Sequence, residues 1–272
     1  MHRITRFFDP NYIRKVSVFH YQPKLAMLTW QGTRLWVDVN DHIGFRSFIR
    51  QEPFEMMVHT IATKIGITEG DVILDIGANI GTASVPICRE TGCELAAIEA
   101  SKDTASLLLK NIALNQIKAH VDIVALTSQA DDGAFLKLYL RDGNRGANSL
   151  LADWNPSKAD ATYELAPATT LDRYIDGARY AARIALIKID VEGAELDVIK
   201  GGQKFLASNT APILMEYRVD AGAKVRDMLA QALDLMAERY DVFGLDTAGN
   251  KTMFDPTKPY ENILFEPKTQ GA

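Results

Sequence analysis

Cysteine, histidine and unbroken apolar runs are all scarce in this chain. Its two cysteines, Cys88 and Cys93, form no C-x-x-C and have no histidine cluster beside them, which leaves buried or free thiols as the expectation. No run reaches about eighteen apolar residues, and Arg14 and Lys15 interrupt the amino-terminal stretch before any apolar core of signal-peptide length. Neither a transmembrane segment nor a secretory leader is expected, and a cytoplasmic location follows. Positive charge is short as well: 30 Lys and Arg stand against 35 Asp and Glu, a net charge of −5. That balance argues against a nucleic-acid binder working through a broad basic face. The basic residues are unevenly spread. Arg3, Arg6, Arg14, Lys15, Lys24, Arg34, Arg46 and Arg50 face only Asp9, Asp38 and Asp41 within the first fifty positions, a pattern that suits a solvated surface or a contact with an anion or membrane.

A third glycine is also missing from the one stretch that sets the register of the rest. Asp71-Val72-Ile73-Leu74-Asp75-Ile76-Gly77-Ala78-Asn79-Ile80-Gly81 reads as a strand buried on both faces, then a glycine turn, then a helix opened near Thr82 or Ser84. The spacing is G-x-x-x-G, without the glycine that packs a helix against a dinucleotide pyrophosphate. Asp75 at the strand end would repel a pyrophosphate but could pair with an ammonium. S-adenosylmethionine (SAM), which carries an ammonium, a sulfonium and no phosphate, matches better than NAD, and Gly77, Asn79 and Gly81 form the turn that would approach it.

An apolar share of 47% is enough for one large core, or for one core with an appendage. Residues 1–51 read as an amino-terminal cap, with a hairpin of Leu25–Trp30 and Thr33–Val39 turning at Gln31-Gly32. From 52 to 272 strands and helices alternate. The expected strands cover 72–76, 94–100, 121–127, 135–140, 163–168, 185–191, 212–215, 241–245 and 262–265, and the expected helices 53–65, 102–115, 170–175, 195–206 and 224–239. This is a doubly wound, mostly parallel sheet with right-handed crossovers. Glu99 closes the second core strand, where such folds place the acid that accepts hydrogen bonds from ribose hydroxyls.

Ligands in open α/β sheets lie beyond the carboxyl ends of the strands. Asp190 and Glu216 end two core strands that the fold would make neighbours, with Glu192 two residues on. A carboxylate there could take the proton from a hydroxyl, or Asp190 and Glu216 together could hold Mg²⁺. Asp190 also suits a helix cap near Gly193, and Glu192 and Glu195 suit a helix amino terminus. The polar loop 142–149 could close over a substrate or be a plain turn. His20, His42, His59 and His120 read as lone structural or solvated side chains.

Asp75-Ile76-Gly77-Ala78-Asn79-Ile80-Gly81, followed by Leu186-Ile187-Lys188-Ile189-Asp190-Val191-Glu192-Gly193-Ala194-Glu195, resembles the FkbM family of SAM-dependent methyltransferases over roughly residues 52–245. Gly146-Ala147-Asn148-Ser149-Leu150 is similar to that family's Gly/Ser-rich stretch, though poorer in both. The resemblance implies a class I methyltransferase (Rossmann-like) fold, a seven-stranded sheet with an antiparallel last hairpin. It also implies O-methylation of a sugar hydroxyl on a glycan, glycolipid or glycosylated natural product. The expected cofactor is SAM, held by Asp75, Gly77, Asn79, Gly81 and Glu99, with catalysis at Asp190, Glu216 and Glu192. A divalent cation such as Mg²⁺ could join Asp190 and Glu216. The expected partner is a small-molecule or glycan acceptor, reached without nucleic acid and at most by peripheral contact with a membrane-borne glycolipid. Two rivals remain at this point: a SAM-binding scaffold without turnover, and an NAD-dependent dehydrogenase.

Overall fold

A computed structural model describes residues 24–131, 133–152, 162–218 and 222–268; Arg3, Arg6, Arg14 and Lys15 lie outside them. The chain opens with β1 (Leu25–Trp30) and β2 (Thr33–Asp38), an antiparallel hairpin turning at Gln31 and Gly32, both at positive φ. Helices α1 (His42–Arg50) and α2 (Met56–Ile65) follow. Then come β3 (Val72–Ile76), α3 (Ser84–Thr91), β4 (Glu94–Ile98), α4 (Lys102–Asn115) and β5 (Ala119–Asp122). Strands β6 (Ala125–Leu126), β7 (Phe135–Tyr139) and β8 (Tyr163–Thr169) form a separate small sheet, after which α5 (Leu171–Ile175) returns the chain. Strand β9 (Ile184–Ile189), helices α6 (Glu195–Gly201) and α7 (Gln203–Ser208), β10 (Ile213–Glu216) and α8 (Ala223–Met236) complete the parallel part. The chain closes with β11 (Tyr240–Leu245), β12 (Lys251–Met253) and β13 (Asn262–Pro267).

The main sheet runs β12-β11-β13-β10-β9-β3-β4-β5, parallel from β10 to β5, with β13 antiparallel to both its neighbours. Without β12 this is the class I methyltransferase order. Among the described residues the sheet therefore has eight strands, not the expected seven, because Lys251–Met253 folds back on β11 as an exposed edge. Two other expectations change. The strand expected over 121–127 divides, since Ala125 and Leu126 leave the main sheet to pair with β8. The helix expected over 195–206 breaks at Gly202: a Cβ on Gly201 would strike the Thr127 carbonyl and one on Gly202 the Leu171 side chain, so the chain turns where only glycine fits.

Alternation along each strand divides the core. Val72, Leu74 and Ile76 join Ile187, Ile189, Leu196, Ile199 and Leu229 on one side, while Ile73, Leu95, Leu186 and Leu214 join α2, α3 and α4 on the other. Leu28, Leu35 and Val37 of the hairpin are fully buried in that second layer. The free edge of β2 is capped by side-chain amides. Asn115 exchanges hydrogen bonds with the Arg34 backbone (3.0 and 2.6 Å), and Asn111 does so with the Trp36 backbone (2.7 and 3.1 Å). An exposed strand edge is thereby closed to pairing with another chain. Cys88 and Cys93 are buried and free, as expected. Among the described residues, no helix is long and apolar enough to cross a membrane.

Candidate active site

Strands β3, β4, β9 and β10 end side by side, and a cavity of about 900 Å³ opens over their carboxyl ends. Gly77, Asn79, Glu99, Asp190, Glu192 and Glu216 all line it. Motifs more than a hundred residues apart in sequence thus meet, because parallel neighbours in the sheet release their ends on the same edge.

The glycine turn is built from backbone bonds. Gly77 (φ +81°) and Ala78 each donate to the Ile98 carbonyl, at 2.9 and 3.0 Å. Asn79, itself left-handed at φ +51°, donates its N–H to Glu99 Oε2 at 2.9 Å, and Ser101 N–H donates to Glu99 Oε1 at 2.8 Å. Burial pushes the Glu99 carboxyl up to about 7 against the pull of these two bonds. Gly81 stands behind the cavity, where a Cβ would meet Val85 and Leu108. Asp75 lies beneath the wall and not on it: it is fully buried, neither carboxylate oxygen has a hydrogen-bond partner, and Lys188 Nζ is 3.6 Å away.

Lys188 is the centre of the acidic floor, a charge set into the otherwise apolar β9. Its ammonium lies 3.2 Å from Asp190, 3.4 Å from Glu55 and 3.6 Å from Asp75, and donates to the Gly77 carbonyl at 3.2 Å. Burial would strip its proton, but the Asp190, Glu55 and Asp75 charges outweigh that and hold its pKa well above the ordinary lysine value. Burial likewise pushes Asp190 up, yet the Lys188 charge and hydrogen bonds from Glu55 and Lys188 keep it below the usual carboxylate value. Glu55 goes the other way. Burial, reinforced by Asp190 and only partly offset by Lys188, lifts it to about 8, so it carries the proton it shares with Asp190. Glu216 is raised well above its ordinary value by burial and by its acidic neighbours Asp190, Glu192 and Glu195. The two strand-end acids are thus pushed apart, Asp190 below the ordinary carboxylate value and Glu216 above it, a separation typical of acid–base sites.

One carboxylate oxygen each from Asp190, Glu192 and Glu216 can be chosen within 4.8 Å of one another, a spacing that could hold a hard cation. Asp190 does not cap α6. The buried Glu195 carboxylate accepts from Val191 N and Gly193 N, both at 3.2 Å, and tightens that turn instead. The loop at 142–149 lines the cavity through Asn144, Arg145 and Gly146. His120 and His59 bond to Glu94 and Glu90, whereas His42 lies on the cavity wall. Sequence reasoning gave no role to Lys188 or Glu55. For Lys188 the signal was present, a lysine within an apolar strand; Glu55, in the left-handed region at φ +64° just before α2, carries no sequence signature.

A family model described as the methyltransferase FkbM domain matches residues 75–242. No curated protein matches the chain. Similar solved structures include the methyltransferase FkbM from Methylobacillus flagellatus KT, at 15% identity and a TM-score of 0.44, over 74% of this chain and 44% of that one. The Pyrococcus abyssi tRNA (uracil-54, C5)-methyltransferase in complex with S-adenosyl-L-homocysteine matches at 11% identity and a TM-score of 0.46, over 91% and 45%. A TehB-like SAM-dependent methyltransferase from Corynebacterium glutamicum matches at 11% and 0.43, over 82% and 94%. The chain spans less than half the length of the first two.

Proposed function

This chain belongs to the FkbM methyltransferase family, and from that premise we propose that it transfers the methyl group of SAM to an oxygen, the hydroxyl of a sugar on a glycan, glycolipid or glycosylated natural product. One observation carries the reading: a single cavity joins the Gly77 turn, the Glu99 carboxylate and the strand-end acids Asp190 and Glu216. The donor set fits the cofactor. A carboxylate at the end of β4, already oriented by two backbone N–H groups, suits the two hydroxyls of a ribose. An acidic floor suits a ligand that carries an ammonium and a sulfonium. Asp75 supports this from below, by holding Lys188 beside the Gly77 carbonyl.

SAM supplies a methyl group already activated on a cationic sulfur. The protein's tasks are to orient the acceptor oxygen and to take its proton. Asp190, ionised and fixed by Lys188 and Glu55, is the acceptor for that proton, a contribution of about 10²–10⁴-fold. Glu216, whose pKa is raised by burial and its acidic neighbours, hydrogen-bonds the acceptor and orients it, and Glu192 shapes the same edge. Holding the oxygen in line adds several kcal/mol of barrier reduction, on the order of what orientation gives generally. The spacing of Asp190, Glu192 and Glu216 favours a second form of the reading, with a divalent cation on the acids.

Release of S-adenosylhomocysteine (SAH) with candidate glycosides tests the proposal. Tight SAM binding without product across every acceptor would favour a non-catalytic scaffold, and a rate indifferent to EDTA would remove the cation. The family match leaves the NAD-dependent alternative without support.

A further inference from the structure

Among the described residues the cavity is lined by the cations Arg141, Arg145, Lys188, Arg218 and Lys224. All but one are already engaged. Lys188 holds Asp190, Glu55 and Asp75, Arg145 lies 3.6 Å from Asp103, Arg218 lies 3.6 Å from Glu216, and Lys224 has a partner as well. Arg141 is the exception: it is half-buried in the wall, and its guanidinium has no hydrogen bond or ion pair among the described residues. A cation partly withdrawn from water without a partner has lost hydration and gained nothing in exchange.

Nor is Arg141 a loose surface side chain. Its loop is closed at the base by the paired backbones of Tyr139 and Ser149, at 2.9 and 3.1 Å, and its own N–H donates to Asn148 Oδ1 at 2.8 Å. Gly146 of the same loop packs against the glycine turn, where a Cβ would come within 3.3 Å of Asn79 Nδ2. The Ser149 hydroxyl donates to the Glu192 carbonyl at 2.7 Å. The loop that carries Arg141 is thus pinned to the cofactor turn at one point and to the acid turn at another.

The methionyl end of SAM carries a carboxylate beside its ammonium. The acids Glu55, Glu99, Asp190, Glu192 and Glu216, which line the same cavity, attract the ammonium and repel the carboxylate. That carboxylate therefore needs a cation of its own. One unpartnered cation in the wall and one anionic group on the cofactor match in number and in sign. Resting on the SAM-dependent reading of this cavity, we propose that Arg141 grasps the cofactor's carboxylate and holds the methionyl arm, leaving the ammonium to the acids. A guanidinium presents parallel N–H donors that meet both carboxylate oxygens at once, a contact that an ammonium cannot reproduce.

Titration calorimetry with three ligands tests this assignment without turnover. They are SAH, decarboxylated SAH, which lacks only the carboxylate, and 5′-methylthioadenosine, which lacks the carboxylate and the ammonium together. The wild-type protein should prefer SAH over its decarboxylated form by roughly tenfold to a hundredfold. Arg141→Gln should lose that preference, binding SAH more weakly while its affinity for the other two ligands stays unchanged. Arg141→Lys, which keeps the charge but not the fork, should fall between, and it decides the matter if the glutamine variant does not fold. The proposal is overturned if Arg141→Gln binds SAH as the wild type does, or if it weakens all three ligands alike, which would make Arg141 a support of the loop only. Equal wild-type affinity for SAH and decarboxylated SAH sinks this inference alone, whereas failure to bind any of the three sinks the methyltransferase reading and this one with it.

Discussion

Asp75 and Lys188 are register partners on the adjacent parallel strands β3 and β9, with Oδ1 and Nζ 3.6 Å apart and both side chains buried. The pair ties the glycine motif to the second acidic motif across the centre of the sheet. It is an ion pair in which neither Asp75 oxygen accepts a hydrogen bond, so its strength depends on the charges themselves. Removing one partner of a buried pair leaves a charge uncompensated, at a cost of about 3–5 kcal/mol. Lys188→Met should therefore lose about that much stability in urea denaturation. Asp75→Asn in the same background should recover part of it; strictly additive losses would mean that the two charges do not communicate.

Asp190 accepts the acceptor's proton in the proposed reaction. Asp190→Asn should reduce turnover by about 10²–10⁴-fold while SAH affinity stays near wild type. A wild-type rate would discard Asp190 as proton acceptor.

Glu99 titrates within the working range, at about 7. A ribose hydroxyl donates best to the ionised form, so SAH affinity should be full above that pH and decline as pH falls through it. The decline should be absent in Glu99→Gln, whose affinity is low throughout. Parallel pH profiles for the two proteins would detach Glu99 from the cofactor.

Gly77 cannot carry a side chain. Its φ is +81°, and a Cβ would collide with the Asp190 carbonyl, backbone that cannot swing away. Gly77→Ala should destabilise the fold by more than the ~1 kcal/mol of a simple left-handed penalty. It should weaken SAH binding as well, and an unchanged melting midpoint would contradict this packing.

Glu94, at the far end of β4, anchors a separate charge cluster. Burial raises its carboxyl, but hydrogen bonds from Arg183 (2.7 Å), Lys118 (3.0 Å) and His120 (2.8 Å) outweigh that and hold it at about 2, below the ordinary 4.5. A depressed carboxylate stabilises the fold above its unfolded pKa, and that contribution is lost as pH falls toward the folded value. The stability difference between wild type and Glu94→Gln should be full above about pH 5 and shrink progressively between 4.5 and 2. A gap constant down to the lower limit would exclude ionisation as its source.

The alternating strands and helices were legible because an apolar run such as Val72–Ile76 or Ile184–Ile189, buried on both faces, has one stable use in a doubly wound sheet. Boundaries failed where tertiary contact overrode local preference. Gly202 breaks one helix against Leu171, and Ala125-Leu126 is drawn from the third strand into a small sheet by β8. Lys251–Met253 carried no strand signal of its own, since all three side chains are exposed and its place beside β11 comes from edge pairing, with Thr252 Oγ1 donating to the Gly244 carbonyl and Lys251 lying over the Phe243 ring.

The sequence by itself determined which acids end strands, because strand length and alternation follow from the order of apolar and polar residues along a few positions. What only the tertiary structure decided is what those acids are worth. Asp190 is held below the ordinary carboxylate value, Glu55 and Glu216 are raised above it and Asp75 never reaches the cavity, because burial and neighbouring charge set a carboxyl's state, and neighbours in space such as Lys188, Glu55 and Asp190 are chosen by the folding of distant segments onto one sheet edge.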